Sequence, residues 1–218
     1  MECTAFGPEI WIADGPPVRV AGPLRLPTRM IVVKLSDGSL WIDSPVPASR
    51  GEMEKIAALG LVRYLVSPAR LHTWRIASWA MVFPEAQRWA PPQILRDEAP
   101  QAWSADLDQV VFRGNAFAEE VEFFHARSRT LIFNDFIQHY APQPHRVVLD
   151  TLLKLSGARG GGVPNDIKLT MIDKELARQS LRKLLSWDFD NLIVAHGDCV
   201  TGGAKEFVAS AFRFLLRA

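Results

Sequence analysis

The 218-residue sequence contains only two cysteines, Cys3 and Cys199, and neither belongs to a Cys-x-x-Cys pair. Two isolated cysteines exclude a disulfide framework and give no cysteine-based zinc motif. The sequence also lacks the run of roughly 18 apolar residues that a membrane-spanning helix needs. Its first segment has no basic stretch followed by an apolar core, so we predict no secretory signal and expect a cytoplasmic protein.

The sequence also has no large excess of positive or negative charge. The 25 Lys and Arg residues balance 24 Asp and Glu residues, which leaves a formal net charge of +1. This balance gives no electrostatic footprint for nucleic acid, and no basic amphipathic stretch suits a membrane surface. The chain is 48% apolar and long enough to bury a substantial core. We therefore predict a globular protein whose partner is a small molecule, with the oligomeric state left open.

Short apolar runs alternate with turns and helical segments in the first third of the chain. The clearest hairpin lies at 29–44, where two apolar runs flank Asp37-Gly38, a dipeptide that favours the positive φ of a tight turn. A helix is predicted over 48–60 and a buried strand over 61–67. Hairpins combined with strand–helix units predict a mixed α/β sandwich in which helices cover sheets.

The second half of the chain repeats this mixture. Candidate strands lie at 119–126 and 129–136, and an amphipathic helix is predicted over 173–188. A helix and a glycine-rich loop precede that amphipathic helix. We predict a single domain over 1–218 with a helical and loop insertion around 139–187.

Three apolar strands run directly into a histidine or an aspartate. The segment "YLVSPARLH" ends at His72, and "TLIFND" ends at Asp135. The segment "LIVAHGD" reaches His196 and Asp198. Strand ends that meet at one edge of a sandwich bring such side chains to one ion, and imidazole with carboxylate suits Zn²⁺, Mn²⁺ or Fe²⁺ with an activated water. His125, ten residues before Asp135, is a fourth candidate.

Each of these side chains also has a purely structural interpretation. His72 would then be a polar loop residue bonded to backbone carbonyls, and His196 a hydrogen-bonded core histidine. Asp135 would accept backbone N–H groups at the end of its strand. His125 would bond to a neighbouring loop or to Asp135. Asp198 would either orient His196 or cap the helix that follows it.

Several of these segments resemble the metallo-β-lactamase fold. The resemblance rests on the hairpin "MIVVKLSDGSLWIDSP", the late aspartate after "TLIF" and the final His-Gly after "LIVA". More specifically, an uncharacterised domain-of-unknown-function branch of that superfamily is similar to "RMIVVKLSDGSLWIDSPVP", "VSPARLHTWRIASWAMVFPEAQ", "VEFFHARSRTLIFNDF" and "IVAHGD". The resemblance covers most of the chain outside 139–187. It implies an α/β fold of four αββα layers and a metal-dependent hydrolase of esters, thioesters, lactones or phosphoesters.

The main metal motif of the superfamily, His-x-His-x-Asp-His, is degraded in this chain. The motif lies in the loop after an early strand, and Ser67 gives the alignment. The four motif positions are then occupied by Pro68, Arg70, His72 and Thr73. Both histidines of the first metal site are therefore absent.

Two further ligand positions of the superfamily are retained. Asp135 matches the metal-bridging aspartate and His196 the last histidine, whereas the middle histidine is missing from 113–117. The resemblance thus implies at most one divalent metal, held by His72, Asp135 and His196, with Asp135 as the catalytic residue. Four more side chains would lie around this site or line its pocket: Arg70, Thr73, His125 and Asp198.

Two functions are compatible with this pattern. The first is a hydrolase that uses one divalent Zn, Mn or Fe ion, which requires the three ligands to converge within about 4–5 Å of one another. The second is a metal-free relative that binds a small molecule or a protein partner in the former active-site cleft. In that second case the guanidinium of Arg70 would replace the charge of the metal and pair with Asp135.

Overall fold

The computed structural model describes residues 1–21 and 24–216 and contains two sheets. The chain divides into two compact units, Met1–Leu107 and Asp108–Ala218. No helix among the described residues is both long enough and apolar enough to cross a membrane.

The first unit is built on a six-stranded sheet in the order β1-β2-β3-β4-β5-β6. Its strands are β1 (Thr4–Gly7), β2 (Ile10–Ala21), β3 (Leu24–Lys34), β4 (Ser39–Asp43), β5 (Leu61–Val66) and β6 (Gln87–Trp89). Neighbours are antiparallel from β1 to β4 and parallel from β4 to β6. The hairpin predicted at 29–44 is confirmed, and Gly38 in its turn has a φ of 82°, as a tight hairpin turn demands.

The helix predicted over 48–60 is confirmed as α1 (Arg50–Ala57). It begins at Ser49, whose hydroxyl accepts a hydrogen bond from the backbone N–H of Glu52. The Glu52 carboxylate in turn accepts the backbone N–H of Ser49 at 2.7 Å, which completes a capping box. The helix forms the crossover that lets the parallel strands β4 and β5 lie side by side.

After β5 the chain forms a 3-10 helix (Arg70–Arg75) followed by α2 (Ile76–Val82). Trp79 of α2 is fully buried in the core of this unit. Its indole N–H donates to the backbone carbonyl of Val46 at 2.8 Å. This contact anchors the segment after β5, and with it the short helix that carries His72.

The second unit contains a five-stranded sheet in the order β11-β10-β9-β8-β7. Its strands are β7 (Leu107–Phe112), β8 (Glu120–His125), β9 (Thr130–His139), β10 (Asn191–Gly197) and β11 (Val200–Thr201). The strands predicted at 119–126 and 129–136 are confirmed as the antiparallel pair β8 and β9. β9 extends three residues beyond its predicted end, because Gln138 and His139 resume the pairing with β10. Because these two side chains are polar, the apolar pattern of the sequence does not predict this extension.

Within its described residues, up to 216, the second unit contains five helices: α3 (Val147–Ser156), α4 (Asn165–Thr170), α5 (Lys174–Ser186), α6 (Ala204–Ala211) and α7 (Arg213–Leu216). The helix predicted over 173–188 is confirmed as α5, whose apolar side packs into the core of this unit. The segment 139–187 holds α3, α4 and α5. Its assignment as an insertion in a single domain stays a prediction.

Candidate functional site

Two of the predicted ligands, Asp135 and His196, lie together on the neighbouring strands β9 and β10. The imidazole Nε2 of His196 lies 2.9 Å from Oδ1 of Asp135. Since a carboxylate accepts hydrogen bonds, the imidazole donates through Nε2–H. The side chain of Asp135 is 21% exposed and that of His196 is 9% exposed. The pair is therefore partly accessible to solvent, more through the carboxylate than through the imidazole.

A bulge in β9 gives Asp135 its position. Val194 of β10 pairs with Phe133 of β9, but His196 pairs with Gln138. Two steps along β10 thus correspond to five steps along β9, so β9 contains three extra residues in this stretch. Such bulges interrupt the ladder and redirect side chains, and they are common next to active sites. Here the bulge carries Asp135.

The backbone N–H groups of the bulge donate to buried carboxylates of β8. Asn134 N donates to Glu122 Oε2 at 3.1 Å. Asp135 N donates to Glu120 Oε2 at 3.0 Å, and Phe136 N donates to Glu120 Oε1 at 2.9 Å. The two glutamates are at most 1% exposed. Three backbone donors that the ladder cannot satisfy therefore have partners.

Burial is the main cause of the raised pKa values of these two glutamates. It raises the pKa of Glu120 to about 7, and the nearby charge of Asp135 adds to the rise. It also raises the pKa of Glu122 well above its ordinary value, with a further contribution from Glu120. The phenol of Tyr140, the residue that follows β9, is affected in the same way, since burial and the charge of Asp135 raise its pKa. Its hydroxyl has no hydrogen-bond partner among the described residues.

In the first unit, His72 is oriented by Ser44, the residue that follows β4. The Nδ1 of His72 lies 2.7 Å from Ser44 Oγ, and Ser44 Oγ donates to Asp43 Oδ1 at 3.0 Å. Because the single hydroxyl hydrogen of Ser44 goes to Asp43, the imidazole donates its Nδ1–H to Ser44. Asp43 is fully buried, and burial raises its pKa to about 7 although the charge of His72 acts in the opposite direction.

Ser44 adopts a backbone conformation that is unusual for a residue with a Cβ. Its φ is 51°, in the left-handed region. Its backbone N–H donates to the carbonyl of Val66 at 3.0 Å, which ties it to the end of β5. Neither Asp43 nor Ser44 is among the predicted site residues, although "LWIDS" shows the same signal as the others, an apolar strand that runs into polar residues.

The two motif residues beside His72 are exposed. Arg70 and Thr73 both lie in the 3-10 helix, and the Thr73 hydroxyl donates to the backbone carbonyl of Arg70 at 3.0 Å. This hydrogen bond closes the turn of the short helix itself. The pairing of Arg70 with Asp135 stays a prediction.

The predicted place of His125 in the pocket around Asp135 is wrong. His125 is the last residue of β8 and pairs with Thr130 at the start of β9. The regular part of β9 from Thr130 to Phe133, which lies between His125 and the bulge, alone spans roughly 10 Å. His125 is buried, and its Nδ1 lies 2.7 Å from Ser128 Oγ in the hairpin turn. The alternative interpretation, a bond to a neighbouring loop, is the one the structure supports.

Of the two interpretations of Asp198, the helix cap is wrong. α6 begins after Gly203, and no side chain caps it. The Asp198 carboxylate accepts the backbone N–H of Ala141 at 3.2 Å, and its backbone carbonyl lies 2.9 Å from Nδ1 of His139. Asp198 therefore joins the loop after β9 to the loop after β10, next to the strand end that carries His196.

His72 belongs to the first unit, whereas Asp135 and His196 belong to the second. The structure brings the last two together. The convergence of all three on one ion stays a prediction.

Comparison with known proteins identifies the fold. Residues 9–96 match the model of a family described as a domain of unknown function (DUF4336). No curated protein matches the sequence significantly.

Solved structures match nearly the whole chain. A metallo-β-lactamase from Pontibacter korlensis is 12% identical with a TM-score of 0.64, and the match covers 100% of this chain and 99% of that one. The metallo-β-lactamase FIM-1 from Pseudomonas aeruginosa in its mono-zinc form is 9% identical with a TM-score of 0.61, over 99% and 96%. The metal-soaked Flv1 flavodiiron core from Synechocystis sp. PCC6803 is also 9% identical with a TM-score of 0.61, over 99% of this chain and 60% of that one.

These matches show that the chain has the metallo-β-lactamase fold. The predicted α/β fold class is therefore confirmed, and over residues 9–96 so is the resemblance to a domain of unknown function. Fold alone does not define an activity.

Proposed function

We propose that the chain is a metal-dependent hydrolase of small molecules that uses one divalent ion, held by His72, Asp135 and His196. The observation that carries the proposal is the 2.9 Å separation between His196 Nε2 and Asp135 Oδ1 at the β9 bulge. An imidazole and a carboxylate at the ends of neighbouring strands are the donor set that Zn²⁺, Mn²⁺ and Fe²⁺ accept.

The distance between these two donors fits a common ion. Ligand atoms that each lie about 2.1 Å from one ion stand roughly 3.0–3.4 Å apart, so Asp135 and His196 would need to separate only slightly. His196 would have to leave Nε2 free for the ion, as it is in the neutral tautomer that carries the proton on Nδ1. Little rearrangement of the second unit is therefore required.

His72 would supply the third donor. Its Nδ1–H is engaged by Ser44, so ligation would use Nε2. Histidines that bind metals are commonly fixed in this way by a hydrogen bond to the other ring nitrogen. The Asp43–Ser44–His72 chain therefore supports His72 as a ligand, since it selects the tautomer that a ligand needs.

A divalent ion in this place would supply Lewis acidity and activate water for attack on an ester, thioester, lactone or phosphoester. The chain's own contribution would be to hold that ion and to orient the reacting groups at the open side of Asp135. FIM-1, which has the same fold, is described in a mono-zinc form. That description supports the proposal that one ion suffices in this fold.

One observation favours the alternative, a metal-free protein that binds a small molecule or a protein partner. The hydrogen bond between His196 and Asp135 pairs the two side chains without an ion. In this case the imidazole–carboxylate pair would be a fixed polar feature of a binding cleft.

An activity assay with matched variants tests the proposal. We would load the purified chain with Zn²⁺, Mn²⁺ or Fe²⁺ and measure hydrolysis of ester, thioester, lactone and phosphoester substrates. Activity should depend on the ion and fall by about 100-fold or more in Asp135→Asn, since a neutral amide is a poor ligand. Asp188→Asn is the control, because the Asp188 side chain is 85% exposed and pairs with the surface residue Arg129. Metal-independent hydrolysis, or full activity in Asp135→Asn, would contradict the proposal.

A further inference from the structure

The backbone around Asp135 is held by acidic side chains where a sheet normally uses backbone carbonyls. In an antiparallel pair, N–H groups of one strand donate to carbonyls of the other. The pairing of β8 with β9 covers Phe123 to His125 against Thr130 to Ile132. Beyond it, the N–H groups of residues 134–136 donate to glutamate side chains.

Glu120 makes the two contacts closest to the candidate ligand. Its Oε2 accepts Asp135 N at 3.0 Å, and its Oε1 accepts Phe136 N at 2.9 Å. Both oxygens of one carboxylate are thus engaged by consecutive amides. This two-point contact fixes the orientations of the two peptide groups on either side of the Asp135 Cα, and with them the direction of the Asp135 side chain.

Burying a carboxylate in this way lowers the stability of the fold unless the carboxylate has a role. Glu120 is 1% exposed, and removing a carboxylate from water is unfavourable without strong hydrogen bonds. Apolar residues occupy most other positions of this core, including Val121 and Phe123 on the same strand. A pleated strand with ordinary ladder bonds would need no acid here. The acid is needed because the bulge leaves backbone donors without ladder partners.

We propose that Glu120 is a positioning residue for the metal site, which holds the amides of Asp135 and Phe136 so that the Asp135 carboxylate faces His196. This inference rests on the proposed function for its metal readout. Glu122 acts one residue earlier, since its Oε2 accepts Asn134 N and the Asn134 amide donates to it at 3.3 Å. Glu122 thereby fixes the start of the bulge, whereas Glu120 fixes its centre.

The Glu120→Gln variant breaks this contact with little change in volume. A glutamine has one acceptor oxygen and one NH₂ group, so one of the two backbone N–H groups would face a donor. Glu119→Gln is the matched control, because Glu119 is the exposed neighbour of Glu120 and its carboxylate lies 3.7 Å from Arg113. Glu120→Asp keeps the charge but retracts it by one methylene, and it replaces Glu120→Gln if that variant does not fold.

The first readout is amide hydrogen exchange in the metal-free protein. We expect exchange at Asp135 and Phe136 to accelerate by about tenfold or more in Glu120→Gln, since each amide loses its acceptor or its alignment. The amide of Ile132, in the regular part of β9, should keep its protection and serves as the check of folding. Glu119→Gln should match the wild type at all three positions. Unchanged exchange at Asp135 and Phe136 would overturn the inference.

The second readout is the Kd for Zn²⁺, measured by competition with a chelator. We expect Glu120→Gln to weaken binding by about 10- to 100-fold, the usual effect of losing a group that orients a ligand. A purely structural role would lower the melting temperature and leave this Kd unchanged. If the wild type binds Zn²⁺ and the Kd of Glu120→Gln is within twofold of it, the positioning role is wrong and the hydrolase proposal stands. If the wild type binds no metal but the two amides lose protection, the hydrolase proposal fails and Glu120 still positions Asp135.

Discussion

The hydroxyl of Ser44 lies 2.7 Å from Nδ1 of His72, and Ser44 holds this position with a φ of 51°. The same hydroxyl donates to the fully buried Asp43. A residue with a Cβ keeps a left-handed conformation only when its surroundings impose it, and such strain is frequent at functional sites. The strained backbone of Ser44 after β4 therefore places its hydroxyl against the imidazole of His72.

Removal of the Ser44 hydroxyl should weaken metal binding. We expect Ser44→Ala to raise the Kd for Zn²⁺ by about 10- to 100-fold, because His72 loses the group that orients it. Ser78→Ala is the control, since Ser78 only donates to the backbone carbonyl of Arg75 within its own segment. An equal Kd in Ser44→Ala and Ser78→Ala would show that the Ser44 hydroxyl does not support His72 as a ligand.

A companion variant separates the hydroxyl from the backbone strain. Ser44→Gly also lacks the hydroxyl, but glycine adopts a positive φ without steric cost. We expect Ser44→Gly to exceed Ser44→Ala in its free energy of unfolding by about 1 kcal/mol, while both variants bind Zn²⁺ equally weakly. Urea denaturation measures the first quantity and chelator competition the second. Restored binding in Ser44→Gly would mean that strain rather than the hydroxyl governs the site.

Arg70 should contribute little to stability. Its side chain is exposed, and surface substitutions away from special features usually change the free energy of unfolding by less than about 0.5 kcal/mol. We therefore expect Arg70→Ala to unfold at nearly the same urea concentration as the wild type. A loss of about 1–3 kcal/mol would instead indicate that the guanidinium pairs with a carboxylate such as Asp135 and replaces the charge of a metal.

The stability of the metal-free protein should fall as the pH rises from about 4 to 7. Burial raises the pKa of Asp43 from 3.8 to about 7, and that of Glu120 from 4.5 to about 7, so in this range the folded state binds protons that the unfolded state has lost, one of them on Asp43. The free energy of unfolding then decreases with pH, by up to about 4 kcal/mol for a shift of this size. Asp43→Asn should flatten this decrease, and the exposed Asp108→Asn should not. Urea denaturation across the pH range measures the free energy of unfolding of each protein. An equally steep decrease in Asp43→Asn and in the wild type would show that Asp43 is not responsible.

The fold could be predicted largely from apolar periodicity and turn residues. The Asp37-Gly38 hairpin and the amphipathic helix α5 follow from local patterns, and both are confirmed. The β9 bulge could not be predicted, because a register shift depends on the partner strand β10 and leaves no periodic signature. For the same reason Glu120 and Glu122 look like the solvent side of an alternating strand, although both are buried.

The candidate site was predictable only in part. Asp135 and His196 end apolar runs in the sequence, and this signal correctly brings them together. The same pattern gives a wrong position for His125. In the antiparallel hairpin the end of β8 pairs with the start of β9, whereas the bulge lies further along β9. An apolar run that ends in polar residues could also have identified Ser44, whose contact with His72 joins two segments 28 residues apart.

The metal content of the chain tests the proposed single-ion site most directly. We would purify the protein without chelator, reload it with Zn²⁺, Mn²⁺ or Fe²⁺, remove the excess and count ions per chain by elemental analysis. About one equivalent is expected in the wild type and in the control His145→Ala, which alters an exposed histidine. Single replacements of His72, Asp135 or His196 by alanine should each abolish it. Less than roughly 0.2 equivalents in the reloaded wild type would contradict the metal site, since a folded site with its ligands in place retains its ion.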